Sequence, residues 1–99
     1  MNFVKKGDNF SEIIKESHNK DVFVQFSATW CGPCKAYTEN VKKVEGQYNN
    51  KYSFFKIDID DHPSLVKEYQ IRGVPKTVII SKGSIKNEFT GVKTVSDLN

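Results

Sequence analysis

The chain has 99 residues, 37% hydrophobic and 27% charged, with a formal net charge of +3. That balance fits one globular domain with a single core and excludes a disordered chain. The lysines are scattered and Arg72 is the only arginine, so neither nucleic acid nor a membrane surface is expected as a partner. The opening residues Met1–Asp8 lack the apolar centre of a signal peptide, and no apolar stretch reaches bilayer length. A reducing, cytoplasmic setting is the expectation.

No repeat, low-complexity tract or linker divides the chain, so residues 1–99 are read as a single domain. Phe3-Val4 is a short strand candidate. Asn9 is placed to cap a helix, with Glu12 in the capping-box position and Phe10, Ile13 and Ile14 on one face. Asp21 to Ser27 is nearly unbroken apolar sequence and reads as a buried strand. Past the segment Trp30-Cys31-Gly32-Pro33-Cys34-Lys35, the residues Tyr37, Val41, Val44 and Tyr48 recur at three or four positions, which predicts an amphipathic helix. Tyr52 to Ile59 reads as another strand, and Pro63 suits the first turn of a short helix carrying Leu65, Val66 and Tyr69. Thr77 to Ile80 is β-branched. Lys82-Gly83 is a two-residue turn signal, and Ser84 to Thr90 returns antiparallel. Thr94 and Asp97 would cap a last helix that ends at Asn99. The order β-α-β-α-β-α-β-β, followed by a stub of helix, predicts an α/β chain with a mixed sheet.

Cys31 and Cys34 are the only cysteines. They stand where a strand gives way to a helix. There the free N–H groups and the positive end of the helix dipole favour thiolate over thiol. A zinc site needs four ligands, and His18 and His62 stand alone in their segments as surface or half-buried polar residues. Haem attachment needs a histidine after the second cysteine, where this chain has Lys35. Dithiol–disulfide exchange remains: Cys31, at the exposed end, attacks a target disulfide, and Cys34, in the first turn, resolves the mixed disulfide. Pro33 restricts the turn and Gly32 lets a target backbone approach. Trp30 offers a flat apolar contact surface beside the nucleophile.

The segment Phe26-Ser27-Ala28-Thr29-Trp30-Cys31-Gly32-Pro33-Cys34-Lys35 resembles the active-site segment of the thioredoxin family. Lys56-Ile57-Asp58-Ile59-Asp60, Tyr69-x-Ile71-Arg72-Gly73-Val74-Pro75, Lys82-Gly83 and Gly91 match family landmarks in order and spacing. The resemblance implies the thioredoxin fold, with a central mixed sheet flanked by helices and the last helix shortened. It further implies protein-disulfide reductase activity with Cys31 as nucleophile and Cys34 as resolving thiol, and no cofactor or metal beyond the redox-active Cys31–Cys34 disulfide. A cis Val74-Pro75 bond would face the cysteines, the Val74 backbone would pair with an extended target segment, and Trp30, Gly32, Pro33, Gly73, Pro75, Gly91 and Val92 would complete the groove. The implied partners are a thioredoxin reductase and targets of the peroxiredoxin, ribonucleotide reductase and methionine sulfoxide reductase types, met by a monomer. A docking subunit with incidental redox chemistry is the alternative from another class. Oxidase, isomerase and glutaredoxin-like roles fit less well, because Gly-Pro between the cysteines resembles reductases and no glutathione-binding features are present.

Two departures from the pattern stand out. Gln25 occupies the strand position where the family carries a buried acid that takes the resolving thiol's proton. A neutral residue there should ease thiolate formation at Cys31, slow resolution by Cys34 and make the protein less reducing. Lys56, the usual partner of that acid, is expected to turn to Asp58. The second departure is the short final segment, where Val95 and Leu98 are the apolar residues left to cover the sheet, and lower stability is expected.

Overall fold

Alternating runs and caps translate into nine elements in a computed structural model that describes residues 1–98. They are β1 (Asn2–Val4), α1 (Ser11–Glu16), β2 (Asp21–Ser27), α2 (Gly32–Tyr48), β3 (Tyr52–Asp58), α3 (Pro63–Glu68), β4 (Lys76–Ser81), β5 (Ser84–Thr90) and α4 (Val95–Leu98). The five strands form one mixed sheet in the order β1-β3-β2-β4-β5. β3 pairs parallel with both β1 and β2, as helical crossovers require, whereas β4 is antiparallel to β2 and β5. β2 is therefore central. Its Gln25 stands opposite Lys56 on β3 and Thr77 on β4.

The period of two along β2 divides the core. Val22, Val24 and Phe26 face α1 and α3, joining Ile13, Ile57, Leu65, Ile71, Val78 and Ile80. Phe23 faces the other way, with Tyr37, Val41, Val44 and Phe54. That second cluster carries the apolar stripe of α2, so the helix that begins at the cysteines is fixed along its length. Each such buried side chain stabilises the fold by roughly 1.5–3 kcal/mol. Within the same layer the Tyr37 hydroxyl and Thr77 Oγ1 share a hydrogen bond of 2.6 Å.

Sequence-predicted boundaries hold within a residue or two, and two details differ. Asn9 does not build a capping box: its Oδ1 accepts the Ser11 N–H at 3.0 Å, a local turn, and Phe10 is the cap residue of α1. The short connection between Asn9 and Ser11 satisfies the amide next door before the helix can present a third one. Ile59 falls just past β3, where its N–H donates to the Ser27 carbonyl at 2.9 Å. The Lys82-Gly83 turn has φ of 51° and 82°, the pair of positive values that a two-residue hairpin of this hand needs. Buried Ser17 at the end of α1 accepts the Lys82 and Gly83 N–H groups, each at 2.9 Å, and so ties that turn to the helix layer. Thr94 and Asp97 do form the reciprocal cap, with both bonds at 3.1 Å. Val95 and Leu98 pack on the α2-side cluster. Asn99, the end of the expected last helix, lies outside the described residues.

Burial pushes the Tyr37 hydroxyl up to about 12, against a smaller opposite effect of the Thr77 hydrogen bond. The folded state therefore holds that proton more tightly than the unfolded chain does. The resulting stability is fully present below the ordinary tyrosine value of 10 and is lost as pH rises from there through about 12. Denaturant unfolding measured across that window should show a steep fall for the native chain and a shallower one for Tyr37→Phe.

Candidate active site

β2 ends at Ser27, buried Ala28 follows, and the chain turns through Thr29 and Trp30 to reach Cys31. The Cys31 N–H donates to the Ala28 carbonyl at 3.2 Å, which closes that turn. Cys31 is the cap residue of α2, extended at φ −92° and ψ 108°, and its Sγ accepts the Cys34 N–H at 3.2 Å. A sulfur thus fills the place that a serine or aspartate oxygen takes at other helix starts. The same N–H and the dipole behind it would stabilise a sulfur anion there. Pro33 occupies the first turn, where an N–H would have no helical partner. Cys31 and Cys34, with Cα atoms 5.3 Å apart, are joined as a disulfide.

Cys31 was expected at an exposed end. It is only 5% exposed, and Cys34 is 1% exposed. The cover comes from the segment before β4: Cys31 Sγ lies 3.8 Å from the Val74 carbonyl oxygen, and the Val74-Pro75 bond is cis. A groove of about 440 Å³ reaches Cys31 between Trp30, Gly32 and Pro33 on one side and Gly73 and Val74 on the other. Ile59, Ile71 and Arg72 complete its lining. A Cβ built on Gly32 would meet nothing within 4 Å, so the approach over it is open. Pro75 is buried beneath the groove, and its carbonyl accepts the Gly91 N–H at 2.9 Å. Gly91 has φ +100° beside that bond, and Val92 is 44% exposed.

Trp30 is 67% exposed, and its Nε1 donates to Asp60 Oδ2 at 2.9 Å, which holds the indole at the groove's rim. Sequence reasoning named Asp60 within a landmark segment but gave it no role, because a partner thirty residues away leaves no spacing to detect. Gln25 is fully buried. Its Nε2 donates to Thr38 Oγ1 at 2.8 Å, and Thr38 in turn donates to the Cys34 carbonyl at 2.8 Å. Lys56 does not turn to Asp58. Its Nζ lies 5.5 Å from the centre of the Phe3 ring, its register neighbour on β1, while Asp58 Oδ1 accepts the Asp60 N–H at 2.9 Å. Lys56 and Asp58 instead share the wall of a second hollow, about 470 Å³, that reaches Cys34 from the β1 side. His62, the cap residue of α3, is buried at 8% exposure rather than half-buried, and His18 is exposed. Among the described residues no group of three or more His, Cys, Asp or Glu could hold a metal ion.

The family model described as Thioredoxin matches residues 2–99. The chain belongs to the thioredoxin family. It is 35% identical over 95 residues to a mitochondrial thioredoxin of Mus musculus, covering 96% of this chain and 57% of that protein. The chain thus spans little more than half the length of that relative. A thioredoxin of Staphylococcus saprophyticus is 30% identical over 99 residues, 99% of this chain and 92% of its own length. Among solved structures, the germline-specific thioredoxin Deadhead of Drosophila melanogaster superposes with a TM-score of 0.85 at 30% identity, covering 94% of this chain and 89% of that one. The five-stranded mixed sheet and the bonded Cys31–Cys34 pair are what this membership requires. No helix of the described residues is long and apolar enough to cross a membrane.

An exposed indole anchored by one exposed hydrogen bond contributes little to folding, yet it is the kind of flat anchor on which interfaces depend. Trp30→Ala should leave thermal unfolding within about 1 kcal/mol of the native chain and weaken the binding of an extended peptide laid in the groove about tenfold.

Proposed function

We propose that the chain is a thiol-disulfide oxidoreductase that reduces protein disulfides through Cys31 and Cys34. The observation that carries this reading is the Cys31 sulfur, seated on the first N–H groups of α2 and opening onto the groove beside Val74. In the dithiol form, the Cys31 thiolate attacks one sulfur of a target disulfide, and the other target sulfur leaves as thiolate. Cys34, once deprotonated, attacks Cys31 in the mixed disulfide and releases the second target sulfur. The target gains two electrons and two protons, and the protein is left with the Cys31–Cys34 bond.

Trp30, Gly32, Pro33, Gly73 and Val74 form the target-binding face in this reading, with Pro75 shaping it from below and Gly91 bracing Pro75. An extended target backbone laid against Val74 would be held by main-chain pairing, which gives affinity with little demand on target sequence. No cofactor or metal is needed beyond the protein's own dithiol. The partners follow from the chemistry: a thioredoxin reductase, drawing on NADPH or ferredoxin, restores the dithiol, and enzymes of the peroxiredoxin, ribonucleotide reductase and methionine sulfoxide reductase types receive the electrons. We place the protein in a reducing compartment, the cytoplasm, as a monomer. Its large exposed apolar side chains, Phe3, Trp30, Ile85 and Val92, are few. A docking subunit with incidental redox chemistry has no observation in its favour.

Gln25 and Lys56 act as tuning residues. With no buried carboxylate at position 25, Cys34 loses its proton to water or another group and resolution slows; the Cys31 thiolate of the dithiol form is easier to hold, which makes the couple less reducing than where an acid stands there.

Dithiothreitol-driven reduction of insulin checks the reaction. The native chain should accelerate it, Cys31→Ser should abolish the acceleration, and Cys34→Ser should accumulate a mixed disulfide. Failure of Cys31→Ser to lose activity would remove the proposal.

A further inference from the structure

Of the described residues that line the groove at Cys31, Arg72 alone carries a charge. It stands on the Val74 side, two residues before the carbonyl that covers the sulfur. Gly73 lies between them, and a Cβ built there would meet only Thr90 Cγ2, at 3.8 Å, so no side chain screens the guanidinium from Val74. Ile71 on the other side is buried at 8% exposure and anchors the segment, while Arg72 itself is exposed.

A surface cation commonly meets an acid or an aromatic face within its own fold, and Arg72 has neither. Among the described residues it takes part in no ion pair and stands over no aromatic ring. The acid at the opposite rim, Asp60, is already engaged by the Trp30 indole at 2.9 Å. The residue type also matters. Every other basic side chain in the sequence is a lysine, a strongly hydrated point charge on a flexible stem. At this one place the chain offers a planar, weakly hydrated fork, which meets both oxygens of a carboxylate at once.

We propose that Arg72 is a specificity-determining residue that pairs with an acidic side chain of the target segment lying against Val74. Reach sets where that acid stands. Arg72 is two residues from Val74, and an extended chain advances at most about 3.3–3.6 Å per residue. The acid therefore lies about two residues from the target residue laid on Val74. This deepens the reductase reading and rests on it for the purpose of the groove: disulfides flanked by Asp or Glu are favoured over those flanked by Lys or Arg. The exchange steps are untouched, because the guanidinium pairs with the segment and not with a reacting sulfur.

Peptides without a disulfide test the proposal apart from catalysis, so a failure of insulin reduction leaves the result readable. Two extended peptides carry serine in place of the target cysteine. They differ only two residues to either side of it, with Asp in one and Lys in the other. Each is titrated into the disulfide form of the full chain, and the backbone and Trp30 indole N–H resonances report binding. The native chain should hold the Asp peptide about fivefold more tightly than the Lys peptide, and added salt should narrow that ratio. Arg72→Gln should bring the two affinities within twofold, and Arg72→Glu should invert the preference. Lys43→Gln removes the same charge from an exposed position on α2 and should keep the native ratio. A ratio that survives Arg72→Glu, or that falls equally in Lys43→Gln, overturns the assignment, since net charge and not Arg72 then sets it. Binding of neither peptide overturns it too, and removes the groove as a docking face.

Discussion

A single contact organises the active end of this protein: the Cys34 N–H donating to the Cys31 sulfur at the first turn of α2. Helix starts leave N–H groups that need acceptors, and here the acceptor is itself the reactive atom. The cap that begins the helix and the group that would attack a disulfide are therefore the same sulfur. Everything else at this end serves to keep that coincidence in place. The apolar stripe Tyr37, Val41 and Val44 seats α2 on the sheet, and the turn from Ala28 to Cys31 fixes where the helix begins.

Access is governed from a different part of the chain. The cis segment before β4 lays the Val74 carbonyl over Cys31 and reduces its exposure to 5%, while leaving the groove open on the Gly32 side. A sulfur so placed is reached along the groove, in the direction from which an extended backbone can lie along Val74. Burial and reactivity are compatible because the open direction is narrow rather than because the sulfur is exposed.

What could be read from the sequence was whatever is local along the chain. The strand Asp21–Ser27, the cysteine segment and the start of α2 are consecutive, and each carries its own signal in apolar runs, turn residues and helical spacing. The hairpin at Lys82-Gly83 and the reciprocal cap of Thr94 and Asp97 were legible for the same reason. Contacts made by folding were not. Asp60 holds Trp30 across thirty residues, and Phe3 rather than Asp58 meets Lys56. Cys31 was misjudged as exposed because its cover comes from residues more than forty positions away. The role of Thr38 was hidden differently: a threonine on the edge of a helical stripe reads as packing until its two partners are seen.

The polar residues inside the α2 layer show how this chain manages a site without a buried charge. Gln25, Thr38, Thr77 and Tyr37 lie between the sheet and the helix. An ion in that position would impose a desolvation cost and respond to every change in nearby charge. Neutral groups avoid both effects but must be paired, and four of the five side-chain polar atoms of these residues are paired in the disulfide form. The exception, Gln25 Oε1, stands in the layer that also holds the resolving sulfur. The layer beside the cysteine pair is thus held by hydrogen bonds between uncharged groups, which keep their form across the pH range in which a carboxylate would titrate.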